Sequence, residues 1–245
     1  MRTLLGWTML GSIVLAVIAW MNRDALPEPG ALLPELREDP LQVAVARPPF
    51  TATVGGITYS IKPLYEYDIS GLVVSMHDSS AWWDWIHEAW KDSLNVVDLC
   101  VVYGENVRTG SYAGLRYSSG EFQCFFSTSS TASWKAFSVP ALSNNHLLTD
   151  RAELARRLRR VHVGDQVRVR GYLAEYSHHQ GFAFFRGTST TRLDTGDGAC
   201  ETIYVEDFQL LRRGGRSWRL LFWLGVAGML LCVAAWLALP PVFED

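Results

Sequence analysis

Residues 192–201, RLDTGDGACE, bring an Asp-Thr-Gly, a run of aspartate and glycine, and a cysteine beside a carboxylate into ten positions. Each would serve a different chemistry. An aspartic-protease Asp-Thr-Gly supplies one of two carboxylates that share a proton. The chain has no second copy, and Thr191-Arg192-Leu193 do not form the hydrophobic strand that such a motif follows. A calcium loop wants oxygen side chains at alternate positions before its glycine, and Gly196 and Gly198 leave two of those empty. What remains is Asp197-Gly198, a tight-turn dipeptide between strand-like flanks that presents Arg192, Asp194 and Glu201.

A second group is His146 in SNNHLL, beside Asn144 and Asn145. A histidine acting as a base needs a nucleophile or water and an orienting carboxylate within hydrogen-bond reach. Asp194 or Glu201 could orient it if these loops meet, so Asn145, His146, Arg192, Asp194 and Glu201 form the candidate cluster. A structural histidine bonded to neighbouring backbone is the alternative, and no residue is assigned as catalytic. His178 and His179 are adjacent on a strand-like segment and point to opposite faces, which makes them poor joint metal ligands. No Gly-rich phosphate loop, G-x-S-x-G elbow or H-E-x-x-H is present, and no metal or cofactor is expected. Cys100, Cys124 and Cys200 lack C-x-x-C or zinc-type spacing. An extracytoplasmic domain would permit one disulfide, Cys124 with Cys200, because Cys100 lies in an apolar run; three buried thiols are the alternative.

Two stretches carry no charge: residues 3–20, TLLGWTMLGSIVLAVIAW, and residues 220–239, LLFWLGVAGMLLCVAAWLAL. About 20 apolar residues at ~1.5 Å rise cross a hydrocarbon core of ~30 Å. Trp7, Trp20, Trp223 and Trp236 lie near the ends, where aromatic belts form. Trp20-Met21-Asn22-Arg23 offers no small-x-small cleavage site, so the first stretch reads as an anchor rather than a removed signal peptide. Both are read as transmembrane helices. With a net charge of −3, nucleic acid is not an expected partner. Only Lys62, Lys91 and Lys135 among the 22 basic residues are lysine, which reads as a GC-rich bacterial codon bias.

Between the spans, residues 21–49 hold six prolines and several carboxylates and read as a tether. Residues 50–211 read as one β-rich domain with short helices, the alternative being two β-subdomains split near Pro140. Ser79 to Ser93 change to helical spacing, with Trp82, Trp83, Ile86, Ala89 and Trp90 on one face. A helix packed on the sheet is expected there, rather than one lying on the membrane interface. TDRAELARRLRRV is expected to be a helix with Asp150 and Glu153 as a capping box and a solvated arginine face. VGDQVRVRGYL turns at Gly164-Asp165 and alternates Val167, Val169, Gly171 and Leu173 inward. A short helix leading through Gly-Asp into a coiling strand, with further strands after it, gives the C-terminal half of the domain the character of a small OB-type β-barrel.

The succession VDLCVVYG, SNNHLL, GDQVRVRGYL and TSTTRLDTGDGACETIYVE resembles a family of uncharacterised bacterial membrane-anchored proteins. Its versions run like Asp-Leu-Ala-x-x-Trp-Gly, Asn-x-His-Leu-Ile-Pro and Arg-x-Asp-Thr-Gly-x-Gly-Ala-Cys-Glu. The resemblance spans residues 98–206 and implies no activity. This chain departs from it with Tyr103 for the tryptophan, Leu148-Thr149 for Ile-Pro, and a second span.

These features point to an integral protein of the bacterial inner membrane with two spans, in contact with the lipid bilayer. The expected role is a non-enzymatic accessory module that binds a protein partner or envelope component. The alternatives are a hydrolase using His146 with Asp194 or Glu201, and an OB-like module for nucleotides or nucleic acid if the domain is cytoplasmic. Orientation is contested. Arg2 before the first span favours an external domain, whereas Arg212, Arg213, Arg216 and Arg219 before the second favour a cytoplasmic one. Because long domains translocate largely regardless of charge, the external arrangement is expected. A cytoplasm-active reporter fused after Val242 should therefore be active and an export-dependent one silent; the reverse result inverts the topology.

Overall fold

The computed structural model describes residues 2–194 and 199–239. It forms two compact units: residues up to 25 with those from 214, and residues 26–213. The first span is one helix, α1 (Arg2–Asn22). The domain then runs β1 (Leu41–Ala44), β2 (Phe50–Val54), β3 (Ile57–Asp78), α2 (Ile86–Trp90), β4 (Asn95–Val102), α3 (Gly104–Thr109), β5 (Arg116–Gly120) and β6 (Gln123–Ser127). It continues with α4 (Thr131–Ala136), β7 (Leu142–Leu148), α5 (Ala152–Leu158), β8 (Gln166–His178), β9 (Phe184–Arg186) and β10 (Glu201–Arg212), and α6 (Arg216–Ala238) follows. The protein is thus mainly β with short helices between two apolar helices.

The 22-residue β3 organises the sheet. Its first half pairs with β8 and its second half with β4, with an irregularity between Pro63 and Tyr65, where proline has no N–H to give the ladder. β4 pairs with β7, β7 runs parallel to β10, and β10 pairs with β8, so the ring β3-β4-β7-β10-β8 closes on itself. Closure removes the sheet edges these strands would otherwise expose. Val97, Leu99, Val101, Leu147, Val167, Val169, Leu173, Ile203, Val205 and Phe208 fill the interior. The inward alternation expected of β8 is met, and Gly164 makes the preceding turn at φ 87°.

Three local expectations give way to tertiary contacts. The tether does not run free. Two 3-10 turns, Pro29–Ala31 and Pro34–Arg37, lay Leu32 and Leu36 into a core with Leu72, Val74 and Tyr112, and β1 pairs with β3. A leucine every few residues outweighs the prolines. The helix over residues 79–93 shrinks to the five residues of α2, and Trp82, Trp83 and Trp85 stay exposed (Trp82 at 90%) while Asp84 and His87 turn inward. The capping box of α5 does not form. Arg151 is the N-cap, and Asp150 instead accepts from the Tyr204 hydroxyl at 2.9 Å. Nor is the arginine face only solvated, since Arg151 and Arg157 donate to β10 carbonyls and Arg159 pairs with Asp78 at 3.5 Å.

The two terminal helices are each long and apolar enough to cross a membrane. They pack through small residues: a Cβ on Gly225 would lie 2.8 Å from both Ala16 N and Ser12 O, which permits the close approach that holds helices together in lipid. In the domain, Gly171 has a comparable role, because a Cβ there would lie 2.0 Å from the Tyr204 carbonyl oxygen. Gly171→Ala is expected to destabilise the domain by about 3 kcal/mol, the upper range for overpacking. Gly187→Ala, whose Cβ would meet nothing nearer than 4.0 Å, should stay within about 0.5 kcal/mol of wild type in the same melting series.

Candidate functional site

The strand register lines up polar residues across the outer face of the barrel. His77 on β3 stands opposite Asp98 on β4, Asp98 opposite His146 on β7, and His146 opposite Thr202 on β10. One step along, Ser75 stands opposite Cys100 and Cys100 opposite Asn144. Side chains two apart on a strand share a face, so both rows point out of the barrel. Three segments roof them: the 79–94 connection, the β5–β6 hairpin with Phe122 at its tip (φ 60°), and, among the described residues between β8 and β10, those around Arg186 and Cys200.

A continuous hydrogen-bond chain runs under this roof. Asp84 Oδ2 accepts from His77 Nε2 at 2.7 Å and from His87 Nδ1 at 2.5 Å. Asn95 Nδ2 reaches His87 Nε2 at 2.9 Å and Asp98 Oδ1 at 2.8 Å. Asp98 Oδ1 also takes His146 Nδ1 at 2.6 Å, and its Oδ2 takes the Phe122 N–H at 3.0 Å. His77, Asp84 and His87 hold three ligand atoms within 4.8 Å of one another, a set whose types suit a first-row transition metal. The donor pattern argues against such use. With Asn95 donating to Nε2 of His87, the ring hydrogen sits on Nδ1, the atom a metal would need.

At the other end of the chain lies the half-buried Cys200. Burial would lower the pKa of His146, but the charge of Asp98 and its hydrogen bond more than reverse this and raise it to about 9. Burial likewise pushes the Cys200 thiol up, and the hydrogen bond and charge of His146, aided by Asn144 and Arg186, bring it below its ordinary value. Asp98, also raised by burial alone, is held low by His146 and Asn95. Asn144 Nδ2 lies 3.5 Å from Cys200 Sγ, and the Phe122 carbonyl lies 3.7 Å from it. Arg186, stacked on the Phe122 ring at 3.9 Å, reaches His146 Nε2 at 2.8 Å. Nε2 therefore has two alternatives. It accepts from Arg186 when the imidazole is neutral, and faces the thiolate with its own proton when charged. A thiol, an imidazole and a carboxylate in this order form the arrangement of a nucleophile, its base and the group that orients the base.

The candidate cluster read from sequence is split by the sheet. His146 lies on the outer face. Asn145, its neighbour, points into the barrel with Leu99, Val101 and Leu147, and Glu201 is its register partner on β10. Arg192 donates to the Pro40 carbonyl at 2.7 Å and lies in the electrostatic environment of Tyr67 and Tyr103 with Glu201. Asp194 accepts from Ser189 Oγ at 2.9 Å. Neither Asp194 nor Glu201 orients His146; Asp98 does. The Asp197-Gly198 turn lies outside the described residues. The expected Cys124–Cys200 disulfide is corrected as well. Cys100 and Cys124 are bridged, with Cα atoms 5.8 Å apart, and Cys200 is a free thiol. The apolar run around Cys100 does not isolate it, because the β5–β6 hairpin folds over β4. The sequence reading passed over Asp98, Arg186, Asn95 and the reactive setting of Cys200. One signal was available: residues 97–100, 143–148 and 199–201, each within a segment that carries the family resemblance, supply Asp98, His146 and Cys200 in turn. No family model, curated protein or solved structure matches the chain.

Glu201 gives a test of the inner face. Burial, with the nearby Cys200 and Asp194 charges, raises its pKa to about 8 against the opposing pull of its own backbone N–H. The folded value lies above the unfolded one, so the folded state holds the proton more tightly and stability falls as pH rises from about 4.5 to about 8. Glu201→Gln removes this dependence. Read from melting curves, its stability should match or fall below wild type near pH 5 and exceed it near pH 8.5 by on the order of a few kcal/mol.

Proposed function

We propose that the domain is a membrane-anchored enzyme in which Cys200 is a thiol nucleophile for acyl-type substrates. The carrying observation is the alignment of Cys200, His146 and Asp98, with the thiol held below its ordinary pKa. His146 Nε2 takes the thiol proton. The thiolate sulfur attacks the acyl carbon, a C–S bond forms, and the leaving group departs with the proton from Nε2. Water activated at Nε2 then breaks the C–S bond and restores the thiol. The Asn144 amide beside the sulfur is suited to stabilise the oxyanion that develops on the acyl oxygen. This reading replaces the non-enzymatic module and keeps the envelope component as substrate rather than partner.

The topology supports an OB-like assignment. A five-stranded closed barrel with one parallel pair and a helix between its third and fourth ring strands follows the OB plan, whose ligands bind on strands two and three between the first-to-second and fourth-to-fifth loops. Those are β4, β7, the 79–94 connection and the described residues between β8 and β10, where Asp98, His146 and Cys200 lie. The Cys100–Cys124 disulfide favours an extracytoplasmic domain on a bacterial inner membrane, since such bonds persist in oxidising compartments.

Alkylation of the full-length protein by iodoacetamide, mapped by mass spectrometry across pH, tests the nucleophile. Cys200 should react readily at pH 6.5, and His146→Gln should slow it about 10-fold or more there while leaving the rate at high pH similar. If wild-type Cys200 reacts no faster than in the variant, or only after unfolding, the thiol reading fails and the binding module returns.

A further inference from the structure

The chain of polar residues beyond Asp98 is longer than a nucleophile, base and orienting group require, and its donor pattern allows one arrangement. Asn95 has a single NH2 group and gives one hydrogen to Asp98 Oδ1 and the other to His87 Nε2. A half-turn of the amide would set its carbonyl oxygen against Asp98 Oδ1, acceptor against acceptor. His87 must then carry its hydrogen on Nδ1, and Asp84 Oδ2 receives it. Asp84 is fixed in turn by His77 at Oδ2 and by the His87 N–H at Oδ1, 3.0 Å away. The order of donors is thus set from Asp84 to Asp98, through side chains that are all buried.

We infer that Asn95 is a positioning residue for the thiol, and that His87, held by Asp84, fixes the orientation of Asn95. The inference rests on the proposed role of Cys200. Asn95 is one of two donors to the Asp98 oxygen that holds His146 Nδ1. Removing it leaves the carboxylate held only by His146 at Oδ1 and the Phe122 N–H at Oδ2, which loosens its grip on the imidazole. His146 then stabilises the thiolate less. Outer groups of this kind fix the tautomer and ring orientation of an imidazole that does chemistry elsewhere. None of them touches the sulfur.

Among the described residues, the ionisable groups that act on the thiol are His146 from β7, with Asp98 from β4 behind it, Arg186 from β9 and Glu201 from β10, and all remain in an Asn95→Ala chain. That variant should move the pH midpoint of Cys200 alkylation upward, seen as about 3- to 10-fold slower labelling at pH 6.5, with the wild-type rate regained at high pH. A purely structural loss would instead change access to the sulfur and alter the rate at every pH. His87→Leu should shift the midpoint in the same direction. His87→Gln, whose amide oxygen can accept from Asn95, should restore part of it, and these variants serve if Asn95→Ala does not fold. Wild-type profiles in both Asn95→Ala and His87→Leu would overturn the inference. Should His146→Gln also match wild type, the thiol reading itself has failed; a shift in His146→Gln alone leaves that reading standing.

Discussion

A carboxylate shut away from water must find its hydrogen-bond donors inside the protein, and Asp98 gathers three pieces of chain to do so. His146 comes from β7, Asn95 from the start of its own strand, and the Phe122 N–H from the β5–β6 hairpin. Leaving a buried charge unpaired costs several kcal/mol, so these three contacts hold the local geometry. A one-residue slip of β7 would bring Asn145 or Leu147 opposite Asp98 in place of His146. Lifting the hairpin would strand Asp98 Oδ2. The register of the outer face and the seating of its roof are therefore both tied to one carboxylate.

The closed barrel makes such a carboxylate tolerable, because it supplies two faces with different chemistry. Inside, valine, leucine and isoleucine side chains with Phe208 fill the ring. Outside, the rows on β3, β4, β7 and β10 are polar and are covered by the long connections. Neighbours in sequence belong to different worlds. Asn145 and Glu201 face the interior, and His146 and Cys200 face the site.

This pleat explains what the sequence could and could not convey. The apolar alternation of β8 and the two spans were legible because periodicity and length decide them locally. His146 and the stretch ending in Cys-Glu stood out because their residue types invite chemistry. The grouping of His146 with Glu201 assumed that their segments meet on one face; β7 and β10 do pair, but the register sets Thr202 opposite His146 and Glu201 opposite Asn145, so strand parity separates the two. Asp98 was hidden inside the apolar run NVVDLCVV, whose burial on both faces masks a single charged residue. The helix expected around Trp82 and Trp83 was lost to Asp84, which two histidines draw inward. Pairings set by tertiary closure leave no local trace.

The place of the cysteines along the chain also bears on how the protein is made. Cys100 and Cys124 are 24 residues apart, and loops of that size close at modest entropic cost. Cys200 follows 76 residues after Cys124 (200 − 124) and immediately precedes β10, the last strand of the ring. Chains emerge from the N-terminus first, so the Cys100–Cys124 bond can form before a third thiol is present. When Cys200 does emerge, its thiol stays ordinary until β10 docks beside β7 and brings it against His146. A partly made domain thus lacks the imidazole contact that lowers the pKa of this thiol, and that contact arrives only with completion of the ring.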